Sequence, residues 1–209
     1  MRGSMDLDGD VEKLRSFYDG WAEDYDHDVA SHDYGMPDMM RRTVADAVAA
    51  IGWSDTRDSL AILDAGCGTG LVGAALHTDG WTNLRGVDLS EPMIARARER
   101  GIYQSLEGGI DLTVPVAAHL VASADVVVVG GVFTVGHVPP LALATMATLT
   151  RDGGLLVAST RTAYREDTDW DEVTQQLIAS GLLELVVHHS DAPYTMDSLA
   201  DYWAWRVRT

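Results

Sequence analysis

The chain predicts an α/β fold: a seven-stranded, mostly parallel sheet with helices on both faces, an antiparallel last strand, and a helical segment in front. Three observations point to it. A short apolar run, Leu60-Ala61-Ile62-Leu63, leads through Asp64-Ala65-Gly66-Cys67-Gly68-Thr69-Gly70 into a helix-like run, Leu71 to His77, the strand, glycine turn and helix start of a ligand-binding βα unit. From there strand-like and helix-like segments alternate, which gives parallel strands joined by right-handed crossovers. Asp125–Val129 is a β-branched run, as expected of a strand buried on both faces.

The elements follow in order. Residues 10–26 carry Leu14, Phe17, Tyr18, Trp21 and Tyr25 at helical spacing, and Asp10 can cap that helix. Gly35-Met36-Pro37 reads as a turn, and Asp38 to Ile51 as a second helix ending at Gly52. Strand 1 is Leu60–Asp64. Strand 2 is Asn83–Asp88, followed by a helix from Ser90 or Glu91 to Arg100 with Pro92 in its first turn. Strand 3 is Tyr103–Leu106 and strand 4 Asp125–Val129; Pro139 and Pro140 open a helix to about Leu149. Arg151 to Gly154 reads as a turn before strand 5, Leu155–Ser159, and Asp169 to Ser180 as a helix stopped by Gly181. Leu182–His188 and Tyr202–Arg208 are the last strands, with Ser190 to Leu199 as a long connection between antiparallel partners.

At 209 residues the chain suits one domain with ample core. No run of 18 apolar residues predicts a transmembrane helix. Met1-Arg2-Gly3-Ser4-Met5-Asp6 lacks an apolar signal core, so a cytoplasmic location is expected. Cys67 is the single cysteine, which excludes an intrachain disulfide and a zinc–cysteine cluster. The net charge of −17 argues against a nucleic-acid partner, whose phosphates need neutralising. Lys13 is the sole lysine, and aspartate outnumbers glutamate threefold, a balance that fits either a salty cytosol or a GC-rich genome.

Asp64, Asp88, Asp111 and Gly130 fall at or just after strand ends, so they can line one crevice at the carboxyl edge of the sheet. An acid at the end of the first strand sits badly beside a pyrophosphate and suits an ammonium or a sulfonium, as in S-adenosylmethionine. Asp88 closes strand 2, where a carboxylate accepts from two ribose hydroxyls. A nicotinamide fold shares that acid, but here the glycines stand at 66, 68 and 70, with Leu71 in the third glycine's place. Both aspartates also read as strand-end turn formers.

Asp64-Ala-Gly-Cys-Gly-Thr-Gly70 and Gly86-Val-Asp-Leu-Ser-Glu-Pro-Met93 resemble the class I (Rossmann-like) S-adenosylmethionine-dependent methyltransferases. Tyr18 to Asp26 resembles that family's N-terminal lid. Gly131-Val-Phe-Thr-Val-Gly-His137 and Ser159-Thr-Arg-Thr162 resemble its Williams–Beuren-region methyltransferase-like subgroup. The resemblance covers nearly the whole chain and divides one domain into a lid, about 10–52, and a core, about 58–209. It implies that Asp64 and the Gly66–Gly70 backbone, Cys67 and Gly68 included, hold the methionine part of the cofactor. Asp88 would take the ribose, Leu89 and Met93 pack near the adenine, and Asp111 and Leu112 reach its edge. Gly130 and Gly131 would offer backbone beside the methionine moiety. Tyr18 would close over the cofactor carboxylate, with Trp21 and Tyr25 beside it. Gly108-Gly109-Ile110-Asp111 carries one residue more than the common arrangement.

His137, after strand 4, is the candidate base, with an ordinary pKa of about 6.5; a structural histidine is the other reading. Arg161 could bind an anionic group of the acceptor, with Tyr34 and Phe133 beside it. Cys67 reads as a small turn residue. Asp26-His27-Asp28 with His32-Asp33 reads as an acidic solvated face, so no metal is expected, and His188-His189 as a structural pair. The expected function is methyl transfer to an O or N atom of a small-molecule acceptor, with S-adenosylhomocysteine as product, by a monomer or homodimer. A protein that binds the cofactor without methyl transfer and a nucleotide-linked oxidoreductase stay open.

Overall fold

The computed structural model describes residues 10–54 and 59–208. The readings of the Met1–Asp6 leader and of the core's start at about residue 58 lie outside those residues. The helices are α1 (Val11–Trp21), α2 (Tyr25–Ala30), α3 (Met36–Ala50), α4 (Leu71–Thr78), α5 (Glu91–Glu99), α6 (Ala142–Ala147), α7 (Thr162–Asp167) and α8 (Trp170–Ala179). The strands are β1 (Ile62–Ala65), β2 (Leu84–Val87), β3 (Ser105–Glu107), β4 (Ala124–Phe133), β5 (Thr150–Arg161), β6 (Leu183–Thr195) and β7 (Ser198–Val207). They form one sheet in the order β3-β2-β1-β4-β5-β7-β6. The first five are parallel neighbours, and β7 runs antiparallel to both β5 and β6.

Strand alternation sorts the core into two layers. Ile62, Val126, Val128, Leu155 and Val157 face α3 and α4, where they meet Met40, Val44 and Leu76. Leu63, Val127, Val129 and Leu156 face the other side, against Phe133, Tyr164, Trp170 and Trp205. Each fully buried valine or leucine contributes about 1.5–3 kcal/mol over its exposed state. Because α3 buries Met40, Val44 and Ala47 completely, it belongs to the layer covering the sheet; only α1 and α2 stand in front.

The register brings the strand ends level. Asp64 lies beside Gly86 and beside Val128, and strand order reverses between β1 and β4. A crevice opens at such a reversal because the crossovers leave in opposite directions.

Several elements differ from the sequence expectation. The single helix expected over 10–26 is two, since Asp10 caps α1 by accepting from the N–H of Glu12 and Lys13, but the chain turns at 22–24. The Trp21 indole then donates to Asp28 at 2.8 Å, which folds α2 back. Met36 and Pro37 open α3 rather than forming a turn before it. Both β4 and β5 outrun their expected ends, to Phe133 and Arg161, and β5 starts before its expected turn, at Thr150. Register shifts between Ala124 and Val126 absorb residues 151–154 as an irregularity in the ladder. Ser190–Leu199 is not a long connection. It continues β6 and β7 into a hairpin pairing Thr195 with Ser198. Helix α7 was not expected, because six residues are too few to show a period.

Candidate active site

A cavity of about 810 Å³, part of it open to solvent, lies at the carboxyl ends of β1, β2, β3 and β4. The sequence-expected residues on its wall are Tyr18, Tyr25, Gly66, Gly68, Asp88, Leu89, Met93, Asp111, Leu112, Gly130, Gly131 and His137. Sequence reasoning missed Val11, Leu14, Arg15, Ser90, Ile110, Thr113, Val132 and Val138. The apolar spacing of α1 was a signal for Val11 and Leu14; Val132 and Val138 carried none beyond their neighbours.

Asp88 is held from two sides: Gly68 N–H donates to its Oδ2 at 2.7 Å and Ser90 N–H to its Oδ1 at 2.8 Å. Burial raises its pKa, and those backbone bonds pull it back. At the next strand end Asp111 Oδ1 accepts from the N–H and the hydroxyl of Thr113, at 2.8 and 2.6 Å. The Ile110 N–H bonds the Asp88 carbonyl at 3.0 Å. Despite the extra residue before it, Asp111 therefore reaches the wall.

Asp64, Cys67 and Gly70 sit behind that wall. Asp64 is almost fully buried, and its Oδ2 accepts from the Tyr103 hydroxyl at 2.7 Å. Burial pushes its pKa up to about 7, the Tyr103 bond opposes this, and the Asp88 charge adds to it. Asp64 Oδ1 is buried with no hydrogen-bond partner. The Cys67 sulfur packs against Gly86, and burial raises its thiol pKa. Gly70 starts α4 at φ +87°, where a Cβ would press on Tyr103.

A second, smaller and narrow cavity, about 360 Å³ when the open solvent at its mouth is included, adjoins the first and shares Tyr18, Tyr25, Gly131 and His137 with it. Trp21, Val29, Tyr34, Thr134, Arg161 and Tyr194 complete its wall. Tyr194 lies in the stretch expected to be a loop, so no pattern announced it. Phe133 reaches neither cavity. Because β4 continues past Val129, alternation sends its ring to the opposite layer, 4.8 Å from Trp170 between centroids.

His137 joins the two cavities. Its Nδ1 lies 3.0 Å from the Val135 carbonyl. A carbonyl only accepts, so Nδ1 carries the proton and Nε2 the lone pair. Nε2 is 2.7 Å from the Tyr18 hydroxyl, which therefore donates to it. Burial lowers the His137 pKa, the Val135 bond opposes that, and the nearby Arg161 charge adds to it. The imidazole is neutral near pH 7.

Side-chain contacts fasten α1 and α2 over the crevice. Besides Tyr18 on His137, the Ser90 hydroxyl donates to Asp19 at 2.6 Å and the Thr69 hydroxyl to Asp26 at 2.5 Å. Arg100 pairs with Asp26 and donates to the Thr69 carbonyl at 2.6 Å. The acids of 26–33 are thus partly engaged in this clasp. His188 and His189 point to opposite faces, one to Asp201 and the other to Asp46.

The crevice fits S-adenosylmethionine. Gly66 and Gly68 put bare backbone on the wall, and a Cβ on Gly68 would meet nothing within 4 Å, so it would project into free space. A carboxylate stands at the second strand end, and a buried carboxylate oxygen without a partner lies behind the glycines.

Comparison with known proteins agrees. The family model described as "Methyltransferase domain" matches residues 63–158. The curated Methyltransferase-like protein 27 of Homo sapiens is 33% identical over 207 residues, covering 94% of this chain and 79% of that protein. Among solved structures, magnesium protoporphyrin IX methyltransferase (ChlM) from Synechocystis PCC 6803 with bound SAH has a TM-score of 0.67 at 16% identity, covering 96% of this chain and 100% of that chain. A TehB-like SAM-dependent methyltransferase from Corynebacterium glutamicum has a TM-score of 0.61 at 20% identity, covering 92% and 99%. The [4+2]-cyclase SpnF, at 0.67 and 14% with 95% and 97% covered, shares the same fold. The chain belongs to the class I S-adenosylmethionine-dependent methyltransferases, as a relative of methyltransferase-like protein 27.

Proposed function

We propose that this enzyme methylates an O or N atom of a small molecule seated in the smaller cavity, and that His137 takes the acceptor's proton. The observation that carries this is the neutral His137 imidazole, with its lone pair aimed at Tyr18 where the two cavities meet. The bound cofactor supplies an activated methyl for in-line displacement. Positioning alone can supply about 7–11 kcal/mol of such a barrier.

The chain's residues do the rest. Asp88 holds the ribose, the glycine backbones at 66, 68, 130 and 131 flank the methionine part, and Asp64 stands behind them with its pKa raised by burial to about 7, where a bound cation would favour its charged form. The adenine lies among Leu89, Met93, Asp111 and Leu112. Residues 10–34 act as the lid that excludes water, clasped by Asp19 and Asp26. Burial raises the Tyr18 pKa well above its ordinary value, so Tyr18 works as a neutral relay. It passes its proton to His137 Nε2 while taking one from the acceptor hydroxyl or amine, and Val135 steadies the resulting imidazolium through Nδ1.

A small acceptor is favoured because Tyr18, Trp21, Tyr25 and Tyr34 roof the second cavity, leaving little room for a polymer strand. The test is incubation with methyl-deuterated S-adenosylmethionine and, separately, the small-molecule and macromolecular fractions of a cell extract. A labelled methyl on O or N of a small molecule is expected. Label confined to protein or RNA, or placed on carbon, overturns the proposal.

A further inference from the structure

Arg161 ends β5 and reaches the smaller cavity. Arg100, Arg151 and Arg165 are each paired with an aspartate. Among the described residues no carboxylate lies at ion-pair distance from Arg161, and its Nε is buried without a hydrogen-bond partner. Its guanidinium lies over the Tyr194 ring, 5.4 Å from the centroid. Removing such a cation from water costs free energy that an arriving anion repays.

The surroundings agree in sign. Among the described residues no acid lines this cavity, although the chain carries −17 overall. Burial keeps the phenols of Tyr34 and Tyr194 protonated. The Tyr34 and Tyr194 hydroxyls are 3.4 Å apart, a long contact, so the Tyr194 hydroxyl can turn its proton to a ligand. The cavity therefore offers one positive charge, neutral O–H donors and aromatic walls at one end, and the His137–Tyr18 pair at the other.

We propose that the methyl acceptor is a small carboxylate, anchored by Arg161 and the Tyr194 hydroxyl, with its O–H or N–H nucleophile turned toward Tyr18 and His137. This rests on the smaller cavity being the acceptor site. A guanidinium fork fits carboxylate and phosphate alike, but Arg161 is the one cationic side chain among the described residues of this wall, which balances a carboxylate and would leave the second charge of a phosphate unmatched. A cationic amine would meet Arg161 without a counter-charge.

The test uses three rings of nearly equal shape, benzoate, benzamide and benzylamine, titrated calorimetrically into the full chain saturated with S-adenosylhomocysteine. Benzoate should bind at least tenfold more tightly than benzamide, and benzylamine should not bind. Arg161→Met should erase the benzoate preference while S-adenosylhomocysteine affinity stays unchanged. Benzoate binding no tighter than benzamide, or no benzoate binding into the millimolar range, overturns the proposal. Phenyl phosphate binding more tightly than benzoate overturns the carboxylate assignment. If Arg161→Met does not fold, the order of the three rings on the wild-type chain still decides. Failure of S-adenosylhomocysteine itself to bind would instead sink the reading of the larger cavity.

Discussion

The Tyr18 phenol donates to Nε2 of His137 over 2.7 Å, across 119 residues of sequence. One bond thus ties α1 to the loop after β4, and it fixes the lone pair of an imidazole that lines both cavities. In the proposed mechanism, closing α1 over the crevice and readying His137 would be one event.

The burial of His137 predicts a pH dependence. The folded His137 pKa lies below its ordinary 6.5, so below pH 6.5 the unfolded chain takes a proton that the folded chain refuses. Stability from this group is complete above that pH and is lost as pH falls through the window. His137→Gln should flatten that part of the melting temperature against pH between 7 and 5. With an accepted substrate, the same variant should lose about 10²–10⁴ in kcat with S-adenosylhomocysteine affinity little changed. An unaltered kcat would remove His137 from the reaction.

Asp64 behaves in the opposite sense. Its pKa rises from 3.8 to about 7 on folding, so between those values the folded chain keeps a proton that the unfolded chain has released. Its contribution to stability therefore falls as pH rises through that window, by a few kcal/mol at most. Asp64→Asn keeps an acceptor for Tyr103 and cannot ionise, so thermal melts from pH 5 to 8 should show the variant gaining on the wild type. Parallel curves would contradict the burial-driven shift.

Asp88→Ala should weaken S-adenosylhomocysteine binding by about 10- to 100-fold, since a hydrogen bond to a charged group is worth about 1.5–3 kcal/mol. It also strands the Gly68 and Ser90 N–H groups that the carboxylate accepts, so the melting temperature should drop as well. Asp88→Asn retains an acceptor and should separate the two effects. Full affinity in the alanine variant, measured by calorimetry, would show that the crevice does not hold the ribose there.

The two wall glycines should respond differently. A Cβ on Gly66, at φ +76°, would overlap the Val132 Cγ2 methyl, whereas a Cβ on Gly68, at φ +54°, meets nothing. Gly66→Ala should lower stability through both overlap and backbone strain. Gly68→Ala costs only the left-handed conformation, about 1–2 kcal/mol, yet it intrudes on the cavity and should cut S-adenosylhomocysteine affinity. Melts and titrations of the pair would show whether stability and affinity separate in this way.

Breaking the clasp should open the lid without unfolding the core. Asp26→Ala leaves the Thr69 hydroxyl and Arg100 without their carboxylate. Hydrogen exchange should accelerate over residues 11–30 while β4 and β5 stay protected, and S-adenosylhomocysteine should dissociate faster. Unchanged exchange in α1 and α2 would mean that other contacts close the crevice.

The alternating pattern, the glycine turn and the two strand-end aspartates made the fold class and one wall of the crevice legible. Those features are local: Gly66, Gly68 and Asp88 stand on the wall because chain order alone puts them at the ends of β1 and β2. Tyr194 could not be read in this way. It enters through a hairpin extension whose polar residues resemble a loop, and only pairing with β7 makes it a strand. Phe133 failed for a related reason, since whether β4 stops at Val129 or runs on depends on the partner strand and decides which layer the ring joins.

The sequence by itself determined the α/β alternation and the cofactor class, because both rest on short-range periodicity and on residues within one βα unit. Packing between distant segments decided that Tyr18 meets His137, that Asp64 lies behind the glycines with its charge suppressed, and that Arg161 opens on a cavity with no acid among its described lining residues. Those properties depend on burial and on approach between distant segments, and neither quantity exists until the sheet has closed and the N-terminal helices have packed across it.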